Sequence, residues 1–358
     1  MNYKFALHKL LLYSPATTGF ILENNISAEE IFTADKETLW LMNIFTPNQL
    51  YNIEEIKQQG TETEEEEFEK SGMKYVCAED EDYPEKLKNI PEPPYGLFYY
   101  GSLLPDRFTV GVVGSRNTCA YGSVTAFDIG KDLAKAKVNL ISGMARGVDT
   151  AGHKGALEAG GYTAAVLGCG ADVCYPRENI NVYNKIKTKG GIISEYFPKT
   201  NALRPHFPLR NRIISGLCDA LIVVEAREKS GSLITAAYAL EQGKDIYAVP
   251  GPIDSKLCAG TNYLISQGAG VFTSTEDFLK ELSIECNFEP KNEDDRKNFL
   301  AKNEIMVYSV ITLLPKSIDD IVRESGLEFK EVLKVISFLT TKGYITEIGK
   351  NMYVRLGK

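Results

Sequence analysis

Apolar residues recur at helical spacing through the first sixty positions, as at Leu7, Leu10 and Leu11, and Ser27-Ala-Glu-Glu has the S-x-x-E form that opens a helix. The pattern changes after that. From about residue 76, short β-branched runs alternate with longer amphipathic segments, as in βαβ units around a parallel sheet. Strands are predicted at 108–113, 138–142, 163–167, 191–194, 220–224 and 245–249. These runs are apolar along their whole length, so both faces of the sheet should be covered. Helices are predicted between them, notably at 121–136, 150–159 and 232–242. After the polar stretch 287–298, helical spacing returns at 304–313, 317–325 and 329–342, and two alternating runs follow around Gly349-Lys-Asn.

The expected fold class is α/β: a Rossmann-like, doubly wound, mainly parallel sheet, with a small helical N-terminal domain and a C-terminal winged-helix domain. The expected boundaries are 1–75 for a SAM-like or helix-hairpin-helix-like unit with an acidic segment, 76–286 for the sheet, 287–300 for a linker and 301–358 for the winged helix. SPATTG at 14–19 lacks the G-x-G turn of a helix-hairpin-helix, so no DNA contact is expected of the first unit. A length of 358 residues agrees with two or three domains at about 150 residues each.

Composition narrows the function. Hydrophobic residues at 44% and charged residues at 25% exclude a chain disordered throughout. The seven cysteines include no C-x-x-C and the three histidines no H-E-x-x-H, so neither a disulfide framework nor a metal is expected. No apolar run approaches the roughly 20 residues of a membrane helix, and the first twenty residues lack an export cleavage pattern. The expected compartment is the cytoplasm. The net charge of −8 hides a segregation: residues 61–70 carry six Glu against one Lys, whereas 103–270 carry 19 Lys or Arg against 14 Asp or Glu, a balance of +5. The acidic run is expected to form a solvated loop or helix face. Residues 196–218 hold Lys199, Arg204, Arg210 and Arg212 and no acid.

The candidate chemistry lies in the loops that follow the predicted strands. Gly111 to Gly122, GVVGSRNTCAYG, joins a strand to a helix, where unpaired backbone N–H groups and the helix dipole attract phosphate oxygens. Gly114 allows close approach, Ser115 follows it, and Arg116 adds a planar cation. The loop is neither G-x-G-x-x-G nor a P-loop, which removes the main support for a nicotinamide enzyme or a kinase-like NTPase. The next junction, SGMARGVDTAGH, contributes Ser142 and Gly143, with Asp149 placed as a cap and His153 one turn further on. Asp149 and His153 are read as structural rather than as parts of a Ser142 triad, because chain proximity is not triad geometry. Arg177 opens a further helix. In RPHFPLRNRIISG, His206, Arg210, Asn211 and Arg212 lie near Phe207, with Tyr175 upstream, a combination suited to gripping phosphates while bases stack. Ser230, Gly231 and Ser232 open one more helix as an anion site. All these loops should meet at the carboxyl edge of one parallel sheet. Arg212 has two open readings, a groove residue or a buried ion pair with Glu225 or Asp219.

Taken in order, GSRNTCAYG, SGMARGVDTAGH, AVLGCGADVCYPREN, SEY, RPHFPLRNRIISGLCDALIVVEA, SGSLITAAYALEQGKDIYAVPG and GTNYLISQGA resemble the DNA-processing protein A (DprA/Smf) family across about 110–270. The resemblance implies a cytoplasmic protein that binds single-stranded DNA without sequence preference, dimerises through its α/β domain and helps load the RecA recombinase in natural transformation. It implies no enzymatic turnover and no cofactor. By motif it assigns the phosphate loop to Gly114, Ser115 and Arg116, a second cation to Arg177, and a shared groove to His206, Arg210, Asn211 and Arg212. The enzymatic rival is a phosphoribohydrolase. Such enzymes show P-G-G-x-G-T-x-x-E where this chain reads SGSLITA, without the carboxylate that assists glycosidic cleavage. A pure interaction scaffold is the third reading. For the last domain, Glu328 and Glu331 offset Lys330, Lys334 and Lys342, so partner binding is expected there ahead of DNA reading.

Overall fold

The computed structural model describes residues 2–284 and 300–355. Six helices come first: α1 (Tyr3–Leu11), α2 (Pro15–Glu23), α3 (Ala28–Thr33), α4 (Lys36–Met42), α5 (Pro47–Gln59) and α6 (Glu62–Ser71). Ser27 caps α3 in the expected box, accepting from Glu30 N–H while the Glu30 carboxylate accepts from Ser27 N–H. The glutamate run is helix α6. It is held at its flanks by ion pairs, Lys9 with Glu64 and Lys199 with Glu67 at 2.6 Å.

The sheet then builds from β1 (Lys74–Cys77), β2 (Gly96–Gly101), β3 (Thr109–Val113), β4 (Asn139–Ser142), β5 (Thr163–Leu167), β6 (Gly191–Ser194), β7 (Ala220–Val223), β8 (Asp245–Ala248) and β9 (Gly270–Val271). Its helices are α7 (Glu85–Lys88), α8 (Ala120–Lys135), α9 (Val148–Glu158), α10 (Ile180–Lys189), α11 (His206–Leu217), α12 (Gly231–Glu241), α13 (Ala259–Ser266) and α14 (Thr275–Glu281). The strand order is β1-β2-β6-β5-β4-β3-β7-β8-β9. Strands β6 to β9 in that order pair in parallel, whereas β1 and β2 run antiparallel at one edge. All six predicted strands are present. Strands β1, β2 and β9 were not anticipated, and β1 straddles the boundary expected at 75/76.

Side chains alternate across the sheet. Val110, Val112 and Ile222 join the core beneath α8 and α9, while Val113, Leu221 and Val223 join the core beneath α11. The second of these cores continues without a break into Leu7, Leu10, Ile31 and Ile53 of the N-terminal helices. The helical unit and the sheet therefore share one apolar interior. No helix among the described residues is long and apolar enough to cross a membrane.

Residues 300–355 form α15 (Lys302–Val310), β10 (Lys316–Ser317), α16 (Ile318–Ser325), α17 (Phe329–Thr341), β11 (Ile345–Gly349) and β12 (Met352–Arg355). The strands make an antiparallel sheet in the order β10-β12-β11 around a separate core that includes Val307, Ile321, Val332 and Leu339. The three helices and the β11–β12 hairpin lie where helices and two alternating runs were expected, and strand β10 was not anticipated. Most of the expected linker lies outside the described residues.

Candidate nucleic-acid interface

Strand order reverses between β3 and β7. The chain leaves β3 toward β4 on one side and leaves β7 toward β8 on the other, so the loops after β3 and β7 diverge and open a crevice at their carboxyl ends. That crevice is a groove of about 680 Å³ lined by the loops after β3, β4 and β7, the first turns of α11, and the start of α12. It gathers five basic residues, Arg116, Arg204, Arg210, Arg227 and Lys229, against a single carboxylate, Asp149.

The floor is aromatic. The rings of Tyr175 and Phe207 lie 5.4 Å apart at 31°, and the Arg116 guanidinium carbon sits 5.3 Å from the Phe207 ring centre. Arg116 is exposed and, like Arg204, Arg227 and Lys229, forms no ion pair among the described residues. These cations are available to an external anion.

Arg210 has a different role. It is buried, and its Nη1 donates to the carbonyls of Gly143, at 2.8 Å, and Val166, while Nε donates to Asn211 Oδ1 at 3.2 Å. Gly143 is needed because a Cβ there would stand 2.6 Å from the guanidinium nitrogens. Burial lowers the Arg210 pKa to about 10, against the pull of Asp149, so the side chain stays cationic at neutral pH. Asp149 in turn accepts from the N–H groups of Gly143 and Ala145, and burial raises its pKa despite Arg210. Together they hold the β4–α9 loop, in which buried Met144 adopts φ +58°. Arg210 is thus a brace beneath the groove that touches its wall.

The other expected residues divide in the same way. Gly114 packs where a Cβ would meet Val148 at 2.7 Å, and Ser115 lines the groove and accepts from Asn117 N–H. Asn211 also lines it, donating to the Gly231 carbonyl at 3.3 Å and so tying α11 to the start of α12. Ser230 caps α12, its hydroxyl 2.7 Å from that of Ser232, and Gly231 faces open space.

Besides buried Gly143, four expected groove residues lie outside the groove lining. Ser142 is buried and donates to the Val112 carbonyl at 2.6 Å. Arg177 is exposed on the turn before α10, outside the groove lining. His206 is buried, stacked 4.1 Å from Tyr196, with Nδ1 on the Gly168 carbonyl and Nε2 3.4 Å from the Tyr13 hydroxyl. Arg212 is buried in an ion pair with Glu195 at 2.7 Å; the partner is neither Glu225 nor Asp219. No triad forms: His153 contacts Thr163 Oγ1, Asp149 contacts backbone, and Ser142 contacts a carbonyl.

The first βα turn also departs from expectation. The position at the N-terminus of α8 is filled by Glu225, whose carboxylate accepts from Thr118 Oγ1 at 2.6 Å and from Cys119 N–H at 3.2 Å. Sequence reasoning also passed over Arg204, Arg227 and Lys229 as contact residues. The cations Arg227 and Lys229 stand in EAREKSGS directly before that serine turn, with Glu225 and Glu228 interleaved. In the fold Glu225 turns inward and Arg227 and Lys229 remain on the rim.

A doubly wound α/β protein with a cationic, aromatic-floored crevice at its switch point is built to receive an anionic ligand with flat groups. Comparison with known proteins places the chain in a family. The profile of the family described as DNA recombination-mediator protein A matches residues 74–283. DNA processing protein DprA of Streptococcus pneumoniae is 44% identical over 206 residues, covering 57% of this chain and 73% of that protein. Protein Smf of Escherichia coli is 34% identical over 290 residues, 78% of this chain and 77% of its own. The X-ray structure of the S. pneumoniae protein superposes with a TM-score of 0.70 at 34% identity, covering 81% of this chain and 99% of that one. A Helicobacter pylori DNA processing protein A, whose structure concerns its single-stranded DNA binding mode, gives 0.55 at 28%, covering 61% and 99%. This chain belongs to the DNA recombination-mediator protein A family.

Proposed function

We propose that the groove binds single-stranded DNA without sequence preference, and that the protein protects incoming single strands and helps load the RecA recombinase during natural transformation, acting as a homodimer through its α/β domain. One observation carries the DNA reading: unpaired cations ring a floor of two neighbouring aromatic rings at the switch point. Arg116, Arg204, Arg227, Lys229 and the Ser230–Ser232 turn would hold phosphates, and Phe207 and Tyr175 would stack bases, which every base tolerates. The H. pylori relative's single-stranded DNA binding and the family membership support the same reading.

The test is fluorescence anisotropy of a labelled oligothymidylate and a mixed-sequence strand at two salt concentrations. Both strands should bind alike and weaken steeply with salt through counterion release. Arg116→Ala should weaken both about tenfold and lower the salt slope by about 0.7, the loss of one phosphate contact. A folded Arg116→Ala protein with wild-type affinity and slope would remove Arg116 from the interface. Phe207→Ala should cost about 1–3 kcal/mol of binding with the salt slope unchanged, because a stacking platform carries no charge. A changed slope would show that the ring acts only by positioning Arg116.

A further inference from the structure

Glu225 follows β7 at the switch point, where a side chain could face the groove. It is fully buried instead, and turns back beneath the β3–α8 loop. One carboxylate oxygen accepts from Thr118 Oγ1 at 2.6 Å and Cys119 N–H at 3.2 Å, and the other accepts from Cys119 Sγ at 2.8 Å. Helix α8 begins at Ala120, so this negative charge sits at the positive end of the helix dipole. The surrounding turn is shaped to it. A Cβ on Gly122 would stand 2.4 Å from the Glu225 carboxyl carbon, and one on Gly114 would lie 3.0 Å from the Glu225 carbonyl oxygen. In a doubly wound sheet this first turn beside the reversal is where a nucleotide's phosphates are received.

We infer that Glu225 is a specificity-determining residue, a resident anion that fills the phosphate position at the N-terminus of α8 and excludes nucleoside phosphates and free phosphate from it. With that position closed, the anion sites left at the switch point are Arg116, the rim cations Arg204, Arg227 and Lys229, and the turn opening α12, where Gly231 faces open space. Assigning those to a DNA strand rests on the proposed function; the exclusion by Glu225 does not. The fold thus keeps the crevice of a nucleotide-binding sheet while denying a mononucleotide its phosphate anchor. A polymer with phosphates spread along the groove does not need that anchor.

Cys119 reports on the same contact. Its thiol pKa is raised, by burial first and then by the hydrogen bond to Glu225, so a neutral side chain at 225 should make the thiol more reactive.

Two variants of the full chain test the inference without DNA. Glu225→Ala leaves a space of anion size, and its melting temperature should rise by about 2–4 °C when inorganic phosphate replaces chloride at equal ionic strength, while wild type shows no such rise. Glu225→Gln keeps the shape and removes the charge. Site-resolved mass spectrometry should find Cys119 alkylated by iodoacetamide at least about threefold faster in it than in wild type. Equal stabilisation of wild type and Glu225→Ala by phosphate would overturn the inference, since the carboxylate would then exclude nothing. Unchanged Cys119 reactivity in Glu225→Gln would overturn it too, and this readout remains if the alanine variant fails to fold. Failure of the DNA reading would appear separately, in the anisotropy experiment.

Discussion

Truncating Arg212 to alanine should lower stability by about 3–5 kcal/mol while leaving the affinity of the folded protein for single-stranded DNA within about twofold of wild type. Arg212 and Glu195 are both buried, and Nη2 donates to the carboxylate at 2.7 Å. Glu92 is 4.0 Å from Nε, too far to replace that bond. Removing the guanidinium strands a carboxylate in the interior, and that stranded charge makes up most of the cost. Arg212→Met/Glu195→Gln removes both charges and should regain most of the loss, because the desolvation of the pair disappears with it. Urea titration of the three proteins measures this. A binding defect in Arg212→Ala as large as in Arg116→Ala, with the urea midpoint unmoved, would return Arg212 to the groove.

The contrast among these arginines explains what the sequence could and could not convey. Six of the seven parallel strands were visible because buried strands are apolar on both faces and end at glycine-rich turns, whereas β9 is only the two residues Gly270–Val271. Strand β2 was not, since Gly96–Gly101 is an aromatic run entered through Pro91, Pro93 and Pro94, and it pairs antiparallel at the margin. At the site, the loops were legible but the directions of side chains were not. Reading HFPLRNR as one cationic patch ignores the turn of about 100° per residue in a helix. On α11, Phe207 and Asn211 share the face that lines the groove, while His206 and Arg210 share the face that reaches the Gly168 carbonyl just after β5 and the Val166 carbonyl within it. Arg212, two residues beyond Arg210, points away from both toward Glu195. Helical phase, applied once the helix was placed, would have separated them. Nothing in the sequence marks Glu225 as inward, because its partners Thr118 and Cys119 are over a hundred positions away.

The same interior predicts acid lability. His8 and His153 are fully buried, and burial lowers both pKa values to about 3 from 6.5, with the Glu195 carbonyl opposing the shift at His8 and Arg210 adding to it at His153. Geometry gives each a reason to stay neutral. His8 Nε2 lies 2.9 Å from the Glu195 carbonyl, which only an N–H can use, and its Nδ1 has no partner. Thr163 donates its hydroxyl hydrogen to the Leu140 carbonyl, so it can only accept from His153 Nδ1, and Nε2 is left without a partner. A proton on either bare nitrogen would be a buried charge with nothing to receive its hydrogen bond. The unfolded chain protonates these rings near pH 6.5 and the folded chain only near 3. The unfolded state therefore binds more protons throughout that window, and stability falls as pH drops through it. At pH 5 each histidine should have cost about 2 kcal/mol, about 4 together, relative to neutral pH. That is a large part of an ordinary domain's stability of about 5–15 kcal/mol. The double variant His8→Gln/His153→Asn keeps an amide where each ring nitrogen donates and cannot titrate. Between pH 7 and 5 its urea midpoint should fall by clearly less than that of wild type, whatever its stability at pH 7. Parallel falls in the two proteins would mean that the carboxylates, and not these two rings, set the acid limit of the fold.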